Sequence, residues 1–255
     1  MPRYQKEIPH FYSVFQSSES KLQPYFTMSE FPRWRMPIMS PIFPRHNRIN
    51  RQGLNLLSRY FAKQRRRHHF DMNTPYFNLI GEKSAAPPKL PKWAIAQGWK
   101  RLERDNRFCL LTQLRPIKLP PGYHIKIGHY FDTKIRAADR ALIRNSFTYL
   151  NWRVVDEIDK AVAKLNEPLT VLIFNRHSVA VASGTVFCRG HLAYLFAGNV
   201  AHNYRRRGLW KLLIAVRQMI SYAQGARLWL YTSDNQLIQN RGDLVYRNWI
   251  YRQGH

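Results

Sequence analysis

Acidic side chains are scarce: 15 Asp and Glu stand against 41 Lys and Arg in 255 residues, a formal net charge of +26. So lopsided a chain repels itself, and a polyanionic partner is the economical explanation, nucleic acid first. Cysteine is scarcer still. Cys109 and Cys188 form neither a disulfide framework nor a metal-ligand spacing, which suits a reducing compartment and excludes zinc-finger chemistry. His68 and His69 have no metal-binding companions, so no metal is assigned. Long apolar runs are also missing, none approaching the roughly 18 residues of a membrane span. Residues 1–7 lack the apolar core of a secretion signal, and Glu7, Glu19 and Glu30 argue against a transit peptide. The expected setting is cytoplasmic, away from membranes.

What is present divides in two. With 45% hydrophobic residues the chain can hold one core of ordinary domain size and something smaller. The charge is shared: residues 1–115 carry 21 basic and 7 acidic side chains, and residues 116–255 carry 20 and 8. Residues 1–115 read as a basic, largely irregular N-terminal arm broken by prolines at 32, 37, 41, 44, 75, 87, 88 and 91. Helical spacing survives over Asn50 to Arg67 and over Lys92 to Asn106. Between Glu30 and Asp71 stand Arg33, Arg35, Arg45, Arg48, Arg51, Arg59, Lys63, Arg65, Arg66 and Arg67 with no acidic residue among them. Phe31, Trp34, Phe43, Tyr60 and Phe61 are interleaved. Guanidinium groups bind phosphate and aromatic rings stack on bases, so the mixture reads as a nucleic-acid arm; the alternative is a solvated basic extension whose aromatics pack on a neighbouring domain.

After the Pro120-Pro121-Gly122 linker the periodicity becomes clean, marking residues 116–255 as a second domain. Tyr123 to Tyr130 alternates as a strand; Thr133 to Tyr149 and Val154 to Leu165 have apolar helical faces. Leu169 to Phe174 and Val179 to Phe187 read as a hairpin, Leu192 to Val200 as a further strand, and Leu209 to Ala223 as a helix stopping at Gly225. Arg227 to Thr232 is the next strand and Asn235 to Trp249 a last, poorly patterned helix. The turn Arg205-Arg206-Arg207-Gly208, from strand into helix, is an anion site by construction: the first helical N–H groups have no internal partner and lie at the positive end of the dipole.

This turn and the element order β-αα-βββ-α-β-α resemble the GNAT N-acyltransferases over roughly residues 122–250, which implies an α/β fold with the family's mixed sheet. The family motif runs from a valine closing a strand to [Q/R]-x-x-G-x-[G/A]. Val200 matches the valine, Arg205 the first motif position and Gly208 the central glycine. Trp210 departs, standing where a small residue is usual. The resemblance implies acetyl-CoA or another acyl-CoA as co-substrate, its pyrophosphate against Arg205, Arg206, Arg207, Gly208, Leu209 and Trp210. It also implies that Tyr246 on the last helix returns a proton to the leaving thiolate, although Ile250 replaces the family's usual glycine and Tyr251 is the alternative donor. The carboxylate base that many members carry on the motif strand is absent, and Asn199 and His202 flank the strand end as residues to bind substrate or relay a proton. The family usually adds two more strands after the last helix; here either the sheet is short or the N-terminal region supplies one.

Joined to the charge, the resemblance points to a nucleic-acid-modifying member, of the Mom-like phage type that modifies DNA adenine or the toxin type that acylates aminoacyl-tRNA. Two other readings stay open: a non-catalytic nucleic-acid-binding protein on a GNAT-like scaffold, and an acyltransferase for proteins or small amines that uses its charge only for localisation.

Overall fold

The computed structural model describes residues 25–28, 42–45, 48–68, 75–82, 85–102, 106–146, 167–233 and 244–254. By contact the chain divides into a first unit of Met1–Phe108, Ser233–Arg241 and Val245–His255, and a second of Cys109–Thr232 and Gly242–Leu244.

In the first unit, β1 (Phe26–Met28) and β2 (Ile42–Pro44) pair antiparallel. Helix α1 spans Arg51–His68, within one residue of the bounds its sequence spacing predicts. Its Leu54 and Leu57 are fully buried, while Arg51, Arg59 and Lys63 are exposed. Then come β3 (Tyr76–Glu82), α2 (Lys92–Ala96) and β4 (Trp99–Arg101). The expected helix over Lys92 to Asn106 thus stops after five residues. Gly98 sits at φ +81, the left-handed conformation that ends helices, and Trp99 turns into the core. Described residues of the N-terminal region pack into a core that includes Phe26, Leu54, Leu57, Phe77, Trp99 and, from near the C-terminus, Tyr251.

The chain enters the second unit within β5 (Asn106–Leu111) and continues through β6 (Tyr123–His129), α3 (Thr133–Ser146), β7 (Leu169–Asn175), β8 (Ala180–Arg189) and β9 (Leu192–Val200). A 3-10 turn at His202–Tyr204 leads into α4 (Leu209–Ala223), and β10 (Leu228–Ser233) follows. The strand order is β5-β10-β9-β8-β7-β6. Strands β6 to β9 are antiparallel neighbours and β9 to β10 is parallel. The β7–β8 hairpin closes on Asn175, whose side-chain carbonyl accepts the His177 and Val179 N–H groups at 2.9 and 3.0 Å. Helix α4 lays Leu209, Leu212, Leu213 and Val216 on Val171, Ile173, Val181 and Ala182. Each such burial contributes about 1.5–3 kcal/mol. The helix expected at Val154 to Leu165, and the end of the one expected to reach Tyr149, lie outside the described residues.

The last expected helix is wrong where it can be seen: Leu244–Gln253 is a strand, β11. The run Leu244-Val245-Tyr246-Arg247-Asn248-Trp249-Ile250-Tyr251 is rich in aromatic and β-branched residues, and Trp249, Ile250 and Tyr251 are all buried, as in a strand covered on both faces. Strand β3 pairs antiparallel with it from Tyr246↔Glu82 to Arg252↔Tyr76, and β4 pairs with its end. The N-terminal region does supply strands. Among the described residues, no helix is long and apolar enough to cross a membrane.

Candidate functional site

Strand β9 is irregular where the chemistry was expected. Thr185 pairs with Phe196 and Ser183 with Asn199, so Ala197 and Gly198 together face the single residue Gly184. This is a β-bulge, with Ala197 at φ +50. On the other side the parallel register of β9 with β10 ends at Tyr194↔Leu230, although β9 continues to Val200 and β10 past Tyr231. Beyond Tyr194 the β9–β10 ladder stops, and the facing edge of β9 carries backbone groups outside it.

The bulge is filled from the α4 side. A Cβ on Gly198 would run into the Trp210 ring and come within 3.3 Å of Arg217 Nη2. A Cβ on Gly184 would lie 2.9 Å from Arg217 Cζ. The motif departure thus finds its physical reason: Trp210 is bulky because Gly198 is not, and its ring lies against β9 among the apolar residues of the α4 interface. Arg217 is 1% exposed and its Nε donates to the Leu213 carbonyl at 3.1 Å. Its Nη1 donates to the Thr185 and Phe196 carbonyls at 3.3 and 3.2 Å. Burial lowers its proton affinity from the ordinary arginine value to about 9.

Gly208 is the N-cap of α4 at φ +78, in the left-handed region. No side chain caps the helix there, so the amides of its first turn have neither an internal partner nor a capping group. Open space surrounds the glycine Cα where a Cβ would stand. Arg206 is also left-handed, at φ +64. Arg205, Arg206 and Arg207 are exposed; Arg205 Nε donates to the Val200 carbonyl at 3.3 Å, and Arg207 lies over the Tyr204 ring at 5.0 Å. The Tyr204 hydroxyl accepts from Asn175 Nδ2 at 2.7 Å.

Asn199 is buried at 4% exposure and its Nδ2 has no hydrogen-bond partner; neither has the Oγ of its cross-strand partner Ser183. Val200 and Ala182 pack on α4, so by strand alternation Asn199 and Ser183 point to the opposite face. His202 is exposed in the 3-10 turn, its Nδ1 3.5 Å from Asn203 Oδ1. Tyr246 lies on β11, in the first unit, not on a helix, so the reasoning that chose it by helix position no longer applies.

Of the basic cluster, Arg45, Arg48, Arg51, Arg59 and Lys63 are exposed, and Arg65, Arg66 and Arg67 continue α1. Arg33 and Arg35, with Phe31 and Trp34, lie outside the described residues. Phe43 is 1% exposed and Tyr60 and Phe61 pack against the core, so these three rings are not free stacking platforms. Sequence reasoning missed Arg217, Gly184 and the bulge. The available signal was an arginine set in the apolar run Leu212-Leu213-Ile214-Ala215-Val216-Arg217 beneath two glycine-bearing strands.

No protein-family model matches this sequence, and no curated protein is significantly similar to it. Solved structures are. A GCN5-related N-acetyltransferase from Kribbella flavida superposes with a TM-score of 0.56 at 14% identity, over 80% of this chain and 74% of that one. A tandem GNAT protein from the clavulanic acid biosynthesis pathway, solved without acetyl-CoA, gives 0.60 at 14% identity, over 83% and 72%. A functionally unknown conserved protein from Staphylococcus epidermidis gives 0.54 at 8% identity, over 91% and 92%. With the bulged β9, the end of its ladder with β10 and the glycine turn into α4, these likenesses establish the fold: a mixed α/β sheet of the GCN5-related N-acetyltransferase type.

Proposed function

We propose that this chain is an acyl-CoA-dependent N-acyltransferase whose acceptor amine belongs to a nucleic acid or is carried by one. The observation that carries the reading is the conjunction of two features on successive elements: the N-terminus of α4, without a side-chain cap, at left-handed Gly208, and the edge of β9 that, among the described residues, β10 leaves unpaired beyond Tyr194. A pyrophosphate matches the first, through helix amides and the adjacent guanidinium groups of Arg205, Arg206 and Arg207. A pantetheine arm, with its two amides in an extended chain, matches the second, since an exposed strand edge binds extended amide chains by main-chain hydrogen bonds.

Acyl transfer at such a site is largely a matter of positioning. The acceptor nitrogen attacks the thioester carbonyl carbon; the C–N bond forms, the C–S bond breaks, and the electron pair leaves on sulfur. The nitrogen gives up a proton and the thiolate takes one. Asn199 Nδ2, buried and without a partner, is a donor ready to bind an oxygen of substrate or of a relaying water.

The acceptor class rests on charge: a net +26, and the exposed row Arg51, Arg59 and Lys63 along one face of α1, spanning about 18 Å of helix. The test is calorimetric titration of acetyl-CoA into the protein, repeated on Gly208→Val. Saturable binding lost in the variant supports the reading; unchanged affinity overturns the site.

A further inference from the structure

An arginine buried beneath a sheet is expensive: removing a charge from water costs several kcal/mol unless its donors are satisfied. Arg217 is 1% exposed in a helix face otherwise made of Leu209, Leu212, Leu213 and Val216. A methionine or leucine would pack there without that cost, so the guanidinium supplies something an apolar side chain cannot. Its partners say what. Two are the carbonyls of Thr185 and Phe196, a cross-strand pair immediately before the bulge.

A bulge interrupts the ladder and leaves carbonyls near it short of donors. Arg217 brings donors to that point, and the absence of a Cβ on Gly184 and Gly198 admits the guanidinium close beneath the backbone. Trp210, seven residues earlier and so on the same helix face, closes the Gly198 side, its ring 5.9 Å from Arg217 Cζ. Helix α4 thus meets β8 and β9 with a polar plug where the ladder between these two strands is interrupted. The β9–β10 ladder stops within the same stretch, before Leu195, next to Phe196.

We propose that Arg217 is a positioning residue: by hydrogen-bonding the carbonyls that border the β9 bulge, it holds the bulge open and so fixes the free edge of β9 along which an acyl-CoA would lie. The inference rests on the acyl-CoA reading for its function and on the bulge for its structure. Arg217 touches no substrate; it acts through the backbone of residues 196–200.

The experiment compares wild type with Arg217→Met, Arg217→Lys and Gly198→Ala by amide hydrogen exchange in the free protein and by acetyl-CoA titration. Met matches the packing without the donors, Lys restores a single donor group, and Ala at 198 displaces Trp210 and crowds the Arg217 guanidinium from the strand side while residue 217 remains arginine. In Arg217→Met, exchange across residues 195–200 should rise at least tenfold while β6 and β7 keep their protection, and acetyl-CoA affinity should fall by tenfold or more. Arg217→Lys should recover part of both effects, and Gly198→Ala should reproduce both. Should Arg217→Met not fold, Gly198→Ala carries the same comparison. Exchange at 195–200 that stays at the wild-type level, or that rises only in step with the whole sheet, overturns the proposal and leaves Arg217 a packing residue. If wild type binds no acetyl-CoA, the acyl-CoA reading falls and with it the functional half of this inference; the exchange data alone then decide whether Arg217 holds the bulge.

Discussion

The two units solve the same packing problem with different materials. The first is rich in rings: Phe26, Tyr76, Phe77, Trp99, Trp249 and Tyr251 form half of its buried core cluster, with Phe77 stacked on Tyr251 at 5.1 Å. In the second, aliphatic side chains hold α4 to the strands: Val171, Ile173, Val181, Leu212, Leu213 and Val216. Beside that packing stand local departures: a bulge at Ala197, a left-handed cap at Gly208, an arginine inserted under Gly184. What the first unit presents is charge along α1. Under the proposed function, the comparison implies a division of labour, with a shaped backbone for a small donor in the second unit and a basic surface for a polyanion in the first.

The sharpest way to break that division is at Gly208. A β-branched residue there is forced into the left-handed region, and though no atom lies close enough to clash, the turn must change. Gly208→Val is expected to abolish acetyl-CoA binding by calorimetry while leaving nucleic-acid affinity, measured by filter binding, unchanged. Loss of both would mean that the units do not divide the work.

Next in size is salt. If about six phosphates are engaged, affinity for tRNA or duplex DNA should fall on the order of a thousandfold between about 50 and 200 mM salt. Replacing Arg51, Arg59 and Lys63 together by alanine should remove about three contacts and so about fortyfold of that fall, with acetyl-CoA binding untouched. An unaltered salt slope would take α1 out of the nucleic-acid surface.

Much of the second unit was legible because its elements are amphipathic with clean periods. The glycine turn, strand β9 and helix α4 were all readable from spacing and from Gly208 and Gly225. What escaped notice is what spacing does not encode. A bulge shifts register through one extra residue, and Gly184 and Gly198 became meaningful only when Trp210 and Arg217 were seen beneath them. In the first unit, Trp93, Ala96 and Trp99 mimicked a helix until Gly98 at φ +81 broke it. Residues 244–253 failed for a related reason: a strand buried on both faces has no alternation, and its polar Arg247 and Asn248 blurred what pattern remained.

The smallest expected effect concerns α3. Asp132 Oδ1 accepts from the Ile135 and Lys134 N–H groups at 3.0 and 2.8 Å, and these bonds hold its carboxyl below the usual carboxylate range. A group whose folded value is depressed stabilises above its unfolded value and loses that contribution as pH falls through the folded one. Asp132→Asn keeps a capping oxygen without the titration, so its melting temperature should vary less with pH below about 4 than that of wild type. Parallel acid profiles would show the cap to be uncoupled from folding.

The account stands most directly on one measurement: mass analysis of tRNA and of duplex DNA after incubation with the protein and acetyl-CoA, against the same mixture lacking the protein. Transfer of one acetyl group to a nucleic-acid amine, with release of free CoA thiol and loss of both in Gly208→Val, is the predicted result. Unmodified nucleic acids in the presence of demonstrated acetyl-CoA binding would contradict the acceptor, and unmodified nucleic acids without such binding would contradict the acyltransferase.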